Sequence, residues 1–176
     1  TPHMRKHGGP TALITAAQQL RQRGHNVGMS MIYTDWNPEV MKSTRGMGVR
    51  TNWSEVHDGL DVVVINSDNP FASQIMAARP GAKFVMYKLS PNPRFKQIEN
   101  DNLNLPWDYI MTSTAGLRQA GITPMEGWTH KAWAEEQVAV VGWYHYGHDL
   151  FAMNPVNRTY GTAMSGFRVG TLIHDH

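Results

Sequence analysis

The apolar positions of this chain change period along its length, and each change marks an element. Between residues 10 and 23, Leu13, Ile14, Ala17 and Leu20 recur at helical spacing, with Gln18, Gln19, Arg21 and Gln22 elsewhere. That spacing predicts an amphipathic helix. Pro10 suits its first turn, where a missing N–H loses no hydrogen bond. Gly24 stands where a left-handed residue closes a helix, just after Arg21 and Arg23, whose charges favour a C-terminus.

Strand-like runs follow. Residues 27–33 are rich in Val, Met, Ile and Tyr, and residues 61–66 contain the continuous run Val62-Val63-Val64-Ile65. Such a run predicts a strand buried on both faces. Residues 83–89, 107–112, 138–141 and 169–173 supply four more strands. Asn69-Pro70 opens a helix through about Ala78, with Asn69 as its cap, and Ser113 or Thr114 caps a short helix to Gln119. Strands alternating with helices at this spacing pair in parallel through right-handed crossovers, which predicts an α/β fold: an open, Rossmann-like parallel sheet with helices on both faces. Residues 152–166, polar and glycine-containing, read as a linker, so residues 1–151 form the main domain and residues 167–176 begin another element. Only Thr1 to Met4 precede the first glycine loop, where such a domain normally has a strand. Either that strand lies upstream, the favoured reading, or residues 168–173 return to fill its slot.

Composition narrows the function classes. The 176 residues suffice for one domain, and 41% hydrophobic with 17% charged residues is ordinary for a globular protein. Sixteen Lys and Arg against fourteen Asp and Glu leave a formal charge of +2 with no basic run, so nucleic acid is not an expected partner. With no cysteine, disulfides, thiolate metal sites and thiol catalysis are excluded, and a reducing compartment fits. The first six residues lack the apolar core of a signal peptide, and no apolar run approaches the roughly 20 residues that span a bilayer.

Gly8-Gly9-Pro10 carries the first candidate chemistry. Two glycines before a helix let another group approach the backbone, and the helix start offers free N–H groups and a positive dipole end. A phosphate suits that geometry; a plain loop-to-helix turn needs the same residues. The sequence holds neither Gly-x-Gly-x-x-Gly nor a Walker loop. Nine histidines are present, with His145 and His148 three apart and His174-Asp175-His176 at the end. Zinc needs three or four converging ligands, so these read as solvated residues and no metal is expected. No Gly-x-Ser-x-Gly nucleophile motif occurs.

Taken in order, Thr1-Pro2-His3-Met4, Gly8-Gly9-Pro10, Arg23-Gly24-His25-Asn26-Val27, Tyr109-Ile110-Met111-Thr112-Ser113-Thr114, residues 138–151 and Phe167-Arg168-Val169-Gly170 resemble the N-terminal domain of family 4 glycosyltransferases of the GT-B fold. The resemblance covers nearly the whole chain. It implies a retaining transfer of sugar from a nucleotide-sugar donor to a glycan, lipid-linked or small-molecule acceptor. It also implies a C-terminal donor-binding domain carrying the catalytic Arg, Lys and Glu residues, so that this chain is inactive by itself. Gly8 and Gly9 would lie near the donor phosphates, flanked by Arg5, Lys6 and His7. Where the family has a histidine near the reacting sugar, this chain has Lys88 and Ser90 as catalytic stand-ins; an ordinary strand-end lysine is the other reading. The family's Pro-Asn-Gly-Val segment is replaced by an aromatic run in which Tyr144, His145 and His148 line the cleft or pack a core. The only cofactor-like molecule implied is the nucleotide-sugar co-substrate, without a metal. A cytoplasmic location is expected, with peripheral membrane contact left open by the resemblance. A free-standing nucleotide- or sugar-binding module, or a sugar-nucleotide epimerase of GT-B shape, are the rival readings.

Overall fold

The computed structural model describes residues 8–30, 49–50, 59–88 and 93–141. Its elements are α1 (Gly8–Gln22), β1 (Met29–Ser30), β2 (Val49–Arg50), β3 (Val62–Asn66), α2 (Ala72–Ala78), β4 (Lys83–Lys88), α3 (Lys96–Leu103), β5 (Tyr109–Thr112), α4 (Ala115–Ile122) and β6 (Val138–Val140). Short 3-10 turns, Pro93–Phe95 and Glu135–Gln137, lead into α3 and β6.

Strands β3, β4, β5 and β6 lie side by side in that order, all parallel, while β1 and β2 form a separate parallel pair. The chain steps across the four strands in one direction, and right-handed crossovers then place α2, α3 and α4 on one face. Packing agrees: Ala72, Ile75 and Leu103 join Ile65, Phe84, Met86, Ile110 and Val138 in the main core. Ala12 and Leu13 of α1 pack on Tyr87, with Met111 and Val141 alongside. Tyr87 alternates with Met86 on β4, so α1 covers the opposite face. The fold is therefore the expected α/β parallel sheet with helices on both faces.

The helix α1 begins at Gly8, two residues ahead of the expected start, so both glycines lie in its first turn beside Pro10. Ala12, Leu13, Ile14 and Ala17 are buried as the periodicity requires, but Leu20 is largely exposed. Gly24 closes the helix at φ +90°, with His25 N–H donating to Leu20 O and Gly24 N–H to Arg21 O. That is the hydrogen-bond pair of a glycine-terminated helix. A Cβ at Gly24 would meet nothing within 4 Å. Gly24→Ala therefore strains only the backbone, and about 1–2 kcal/mol of stability is expected to be lost in urea denaturation. An unchanged midpoint would contradict this closure.

Among the other elements, α4 runs on to Ile122 rather than stopping at Gln119 and β5 starts at Tyr109 rather than Trp107, and two further readings are corrected. Asn69 does not cap α2 directly: its Oδ1 accepts from Phe71 N–H at 2.8 Å, and the helix starts three residues later at Ala72. Asn69 thus shapes the turn that leads into the helix. Strand β3 is not buried on both faces, because Val62 and Val64 are exposed and only Ile65 and Asn66 are buried. The reason is coverage: α1 reaches that face only near the strand ends, over Tyr87 and Met111, and Tyr109 of the interior strand β5, in register with Val64 through Val85, is exposed there too. Thr114 is the residue that caps α4, accepting from Leu117 N–H at 3.2 Å. Among the described residues, no helix is long and apolar enough to cross a membrane. The expected strand at residues 169–173, the linker at 152–166 and most of the strand at 27–33 lie outside the described residues.

Candidate functional site

In a parallel sheet every strand delivers its last residues to one edge, and ligands of open α/β folds bind there. Here that edge brings together Asn66-Ser67 at the end of β3, Tyr87-Lys88 at the end of β4, Thr112-Ser113 at the end of β5 and Val141 after β6. Backbone bonds carry the ladder past the strands: Ser67 N–H donates to Tyr87 O, Ser113 N–H to Lys88 O, and Val141 N–H to Thr112 O. The N-terminal part of α1, with Ala12 and Leu13, packs over the same end. Gly8 and Gly9 stand about one turn ahead of that contact along α1.

Beneath that edge lies a buried polar clamp built from α3, an element absent from the sequence reading. Glu99 is 1% exposed and so is Lys88. The two form an ion pair of 3.0 Å between Lys88 Nζ and Glu99 Oε2. Ser67 Oγ donates to the other oxygen, Glu99 Oε1, at 2.7 Å. The Lys88 ammonium also stands 4.8 Å from the centre of the Trp128 ring, a cation–π distance. Both carboxylate oxygens of Glu99 are thus satisfied, as a charge out of water demands.

The same helix ties down two loops. Asn102 Nδ2 donates to Ser67 O and to Asn69 O, each at 2.8 Å, fixing the turn after β3. Asn100 Oδ1 accepts from Thr129 N–H at 3.0 Å, and Asn104 Oδ1 from Lys131 N–H at 2.8 Å. Trp107 Nε1–H donates to Asn102 O, and Trp133 Nε1–H to Leu103 O, so two buried indoles pack against the end of the helix with their polar atoms paired. The result is a rigid support for the carboxyl edge, held by side chains rather than by apolar contact alone.

Of the residues singled out from sequence, Gly8 and Gly9 form the start of α1. Lys88 ends β4 as its place in the sequence implied, but its side chain alternates to the α3 face and is engaged with Glu99. Arg5, Lys6, His7, Ser90, Tyr144, His145 and His148 lie outside the described residues. What the sequence did not disclose was Glu99, Asn100 and Asn102, which are polar residues of a polar segment. Their only sequence signal is an unusual density of Asn and Glu across residues 99–104.

One further atom stands out. Asn66 is 6% exposed, yet its Oδ1 is, among the described residues, the buried side-chain oxygen or nitrogen with no hydrogen-bond partner. Among the described residues, no group of three His, Asp or Glu side chains converges as a metal centre requires. Compared with known protein families, with curated proteins and with solved structures, the chain finds no match in any of the three.

Proposed function

We propose that this chain is the acceptor-side, N-terminal half of a retaining glycosyltransferase, which takes a sugar from a nucleotide-sugar donor in partnership with a C-terminal domain. The observation that carries the reading is the carboxyl edge of the parallel sheet. There Ala12 and Leu13, about one turn past the glycine start of α1, pack with Tyr87, Met111 and Val141 at the ends of β4, β5 and β6, in the chain order that the family resemblance leads one to expect.

Sugar transfer from a nucleotide donor develops charge on the departing pyrophosphate, and fixed dipoles and cations lower that barrier. The first N–H groups of the 15-residue α1 are such dipoles, and Gly8 and Gly9 keep the approach to them clear. Lys88 has a different part in this scheme. With its ammonium bound to Glu99, it holds Ser67 and the strand ends in place rather than meeting a phosphate. The cationic groups that neutralise the pyrophosphate then belong to the C-terminal domain. Closure of the two domains excludes water, which would otherwise consume the activated sugar.

One observation favours a second reading, a binding module without chemistry of its own. The buried charged pair of the edge, Lys88 with Glu99, and the adjoining Ser67 are all committed to one another. The two readings part in one assay: release of nucleoside diphosphate from UDP-, GDP- and ADP-sugars, by the 176-residue chain and by a protein joining it to a donor-binding domain. The transferase reading expects release by the joined protein and none by the chain alone. Nucleotide-sugar binding without release by either would give the binding module its place.

A further inference from the structure

The orphaned amide of Asn66 is the feature that neither the clamp nor the sheet explains. A buried acceptor without a donor costs free energy and calls for a reason. Everything around it is already secured. Asn66 O accepts from Asn69 N–H at 3.1 Å, Ser67 N–H is bonded to Tyr87 O, and Ser67 Oγ to Glu99. The backbone carrying the amide is therefore rigid, while its Oδ1 is left without a partner. Its direction follows from the pleat. Val63 and Ile65 face the main core, so Asn66 faces the other side, next to its register partner Tyr87. That is the side on which α1 packs through Ala12 and Leu13. An acceptor beside a buried aromatic and an apolar helix face is poorly served by water, and a hydrogen bond made there is strengthened by the low local dielectric.

We propose that Asn66 is a ligand-binding residue whose Oδ1 accepts a hydrogen bond from a hydroxyl group of the sugar or polyol that the carboxyl edge takes as acceptor. The inference rests on the sugar-transfer reading for the choice of ligand. The unmet group is an acceptor, so the ligand must donate. A phosphate, which brings only acceptor oxygens to such a contact, belongs instead at the start of α1. A rigidly held and unsatisfied acceptor is the arrangement expected of a preorganised binding group, whose stability cost is recovered when the ligand arrives.

The test uses the 176-residue chain with D-glucose, D-mannose and myo-inositol as probes, their binding followed by NMR titration of the Asn66 side-chain amide and the backbone amides. Asn66→Leu removes the unpaired acceptor at similar volume. It is expected to leave the melting temperature unchanged or raised and to weaken the probe that binds by about tenfold. Asn66→Ala, which adds no bulk, is expected to do the same and serves if leucine does not fit. A fall of more than about 4 °C in the Asn66→Ala variant would show a structural amide and overturn the proposal. Probe binding equal to wild type in both variants, or no binding of any probe by the wild type, would overturn it as well. The two readings fail separately. If the joined protein releases no nucleoside diphosphate while Asn66→Leu still weakens polyol binding about tenfold, the transferase is lost and the site stands. If release occurs and Asn66→Leu binds the probes normally, the site is lost and the transferase stands.

Discussion

Lys88→Met is expected to destabilise the protein by about 3–5 kcal/mol, the cost of leaving one member of a buried pair without its partner. Methionine nearly fills the volume of the lysine stem, so little of that loss would be a cavity. What remains is Glu99, 1% exposed, with Ser67 Oγ at 2.7 Å as its one remaining donor. In thermal denaturation the loss corresponds to a fall of about 10 °C for a chain of this size. The double variant Lys88→Met with Glu99→Gln removes both charges and keeps an acceptor for Ser67. Most of the lost stability is then expected to return, because a buried pair replaced as a whole is often close to neutral. Denaturant midpoints of the two single variants and the double variant give the coupling directly. Strict additivity, or a single-variant loss below about 1 kcal/mol, would mean that the pair is solvated rather than buried.

The second large effect concerns turnover rather than folding. In the joined protein, Gly9→Val is expected to lower kcat by about 100-fold or more, as displacement of a reacting group by about an ångström can. The physical cause is local. Gly9 lies in the first turn of α1, whose N–H groups have no partner within the helix, and on the proposed reading a branched side chain there would block a phosphate from reaching them. Stability should hardly move, since valine and glycine differ by only a few tenths of a kcal/mol in helix propensity. Measuring kcat and the urea midpoint on the same preparation separates the two. Full activity in the folded variant would remove Gly9 from the site.

These two effects fall on residues that were unequally legible in the sequence. Gly9 could be placed at a helix start, because glycine, glycine and proline ahead of an amphipathic run mark one. Lys88 could be placed at a strand end, but not its burial, since nothing local announces Glu99 eleven residues on. The helix that carries Glu99, Lys96–Leu103, escaped notice for a definite reason. Its buried positions include Glu99, Asn100 and Asn102 beside Leu103, so it has no apolar stripe to give a helical period. Its burial is supported by hydrogen bonds to loops far away in sequence, such as Asn102 to Ser67 and Asn69. Val62 and Val64 misled in the opposite sense. A continuous valine run looks like a strand covered twice, but coverage depends on what packs on each face, and α1 covers the second face only near the strand ends, leaving Val62, Val64 and Tyr109 exposed. Asn66 could not be picked out at all, because an unmet acceptor is a property of three-dimensional surroundings and not of residue type. The parallel α/β order, by contrast, was legible from the alternation of strand and helix signals, because crossover handedness leaves few alternatives.

The most direct measurement is NMR of the anomeric centre during reaction, with the joined protein, a ¹³C-labelled nucleotide-sugar and the polyol probe that binds best. A retaining transferase is expected to give a new glycosidic anomeric signal with the donor's configuration, and to lose it in Gly9→Val. A product of inverted configuration would contradict the retaining assignment, and no product from any donor would contradict sugar transfer itself.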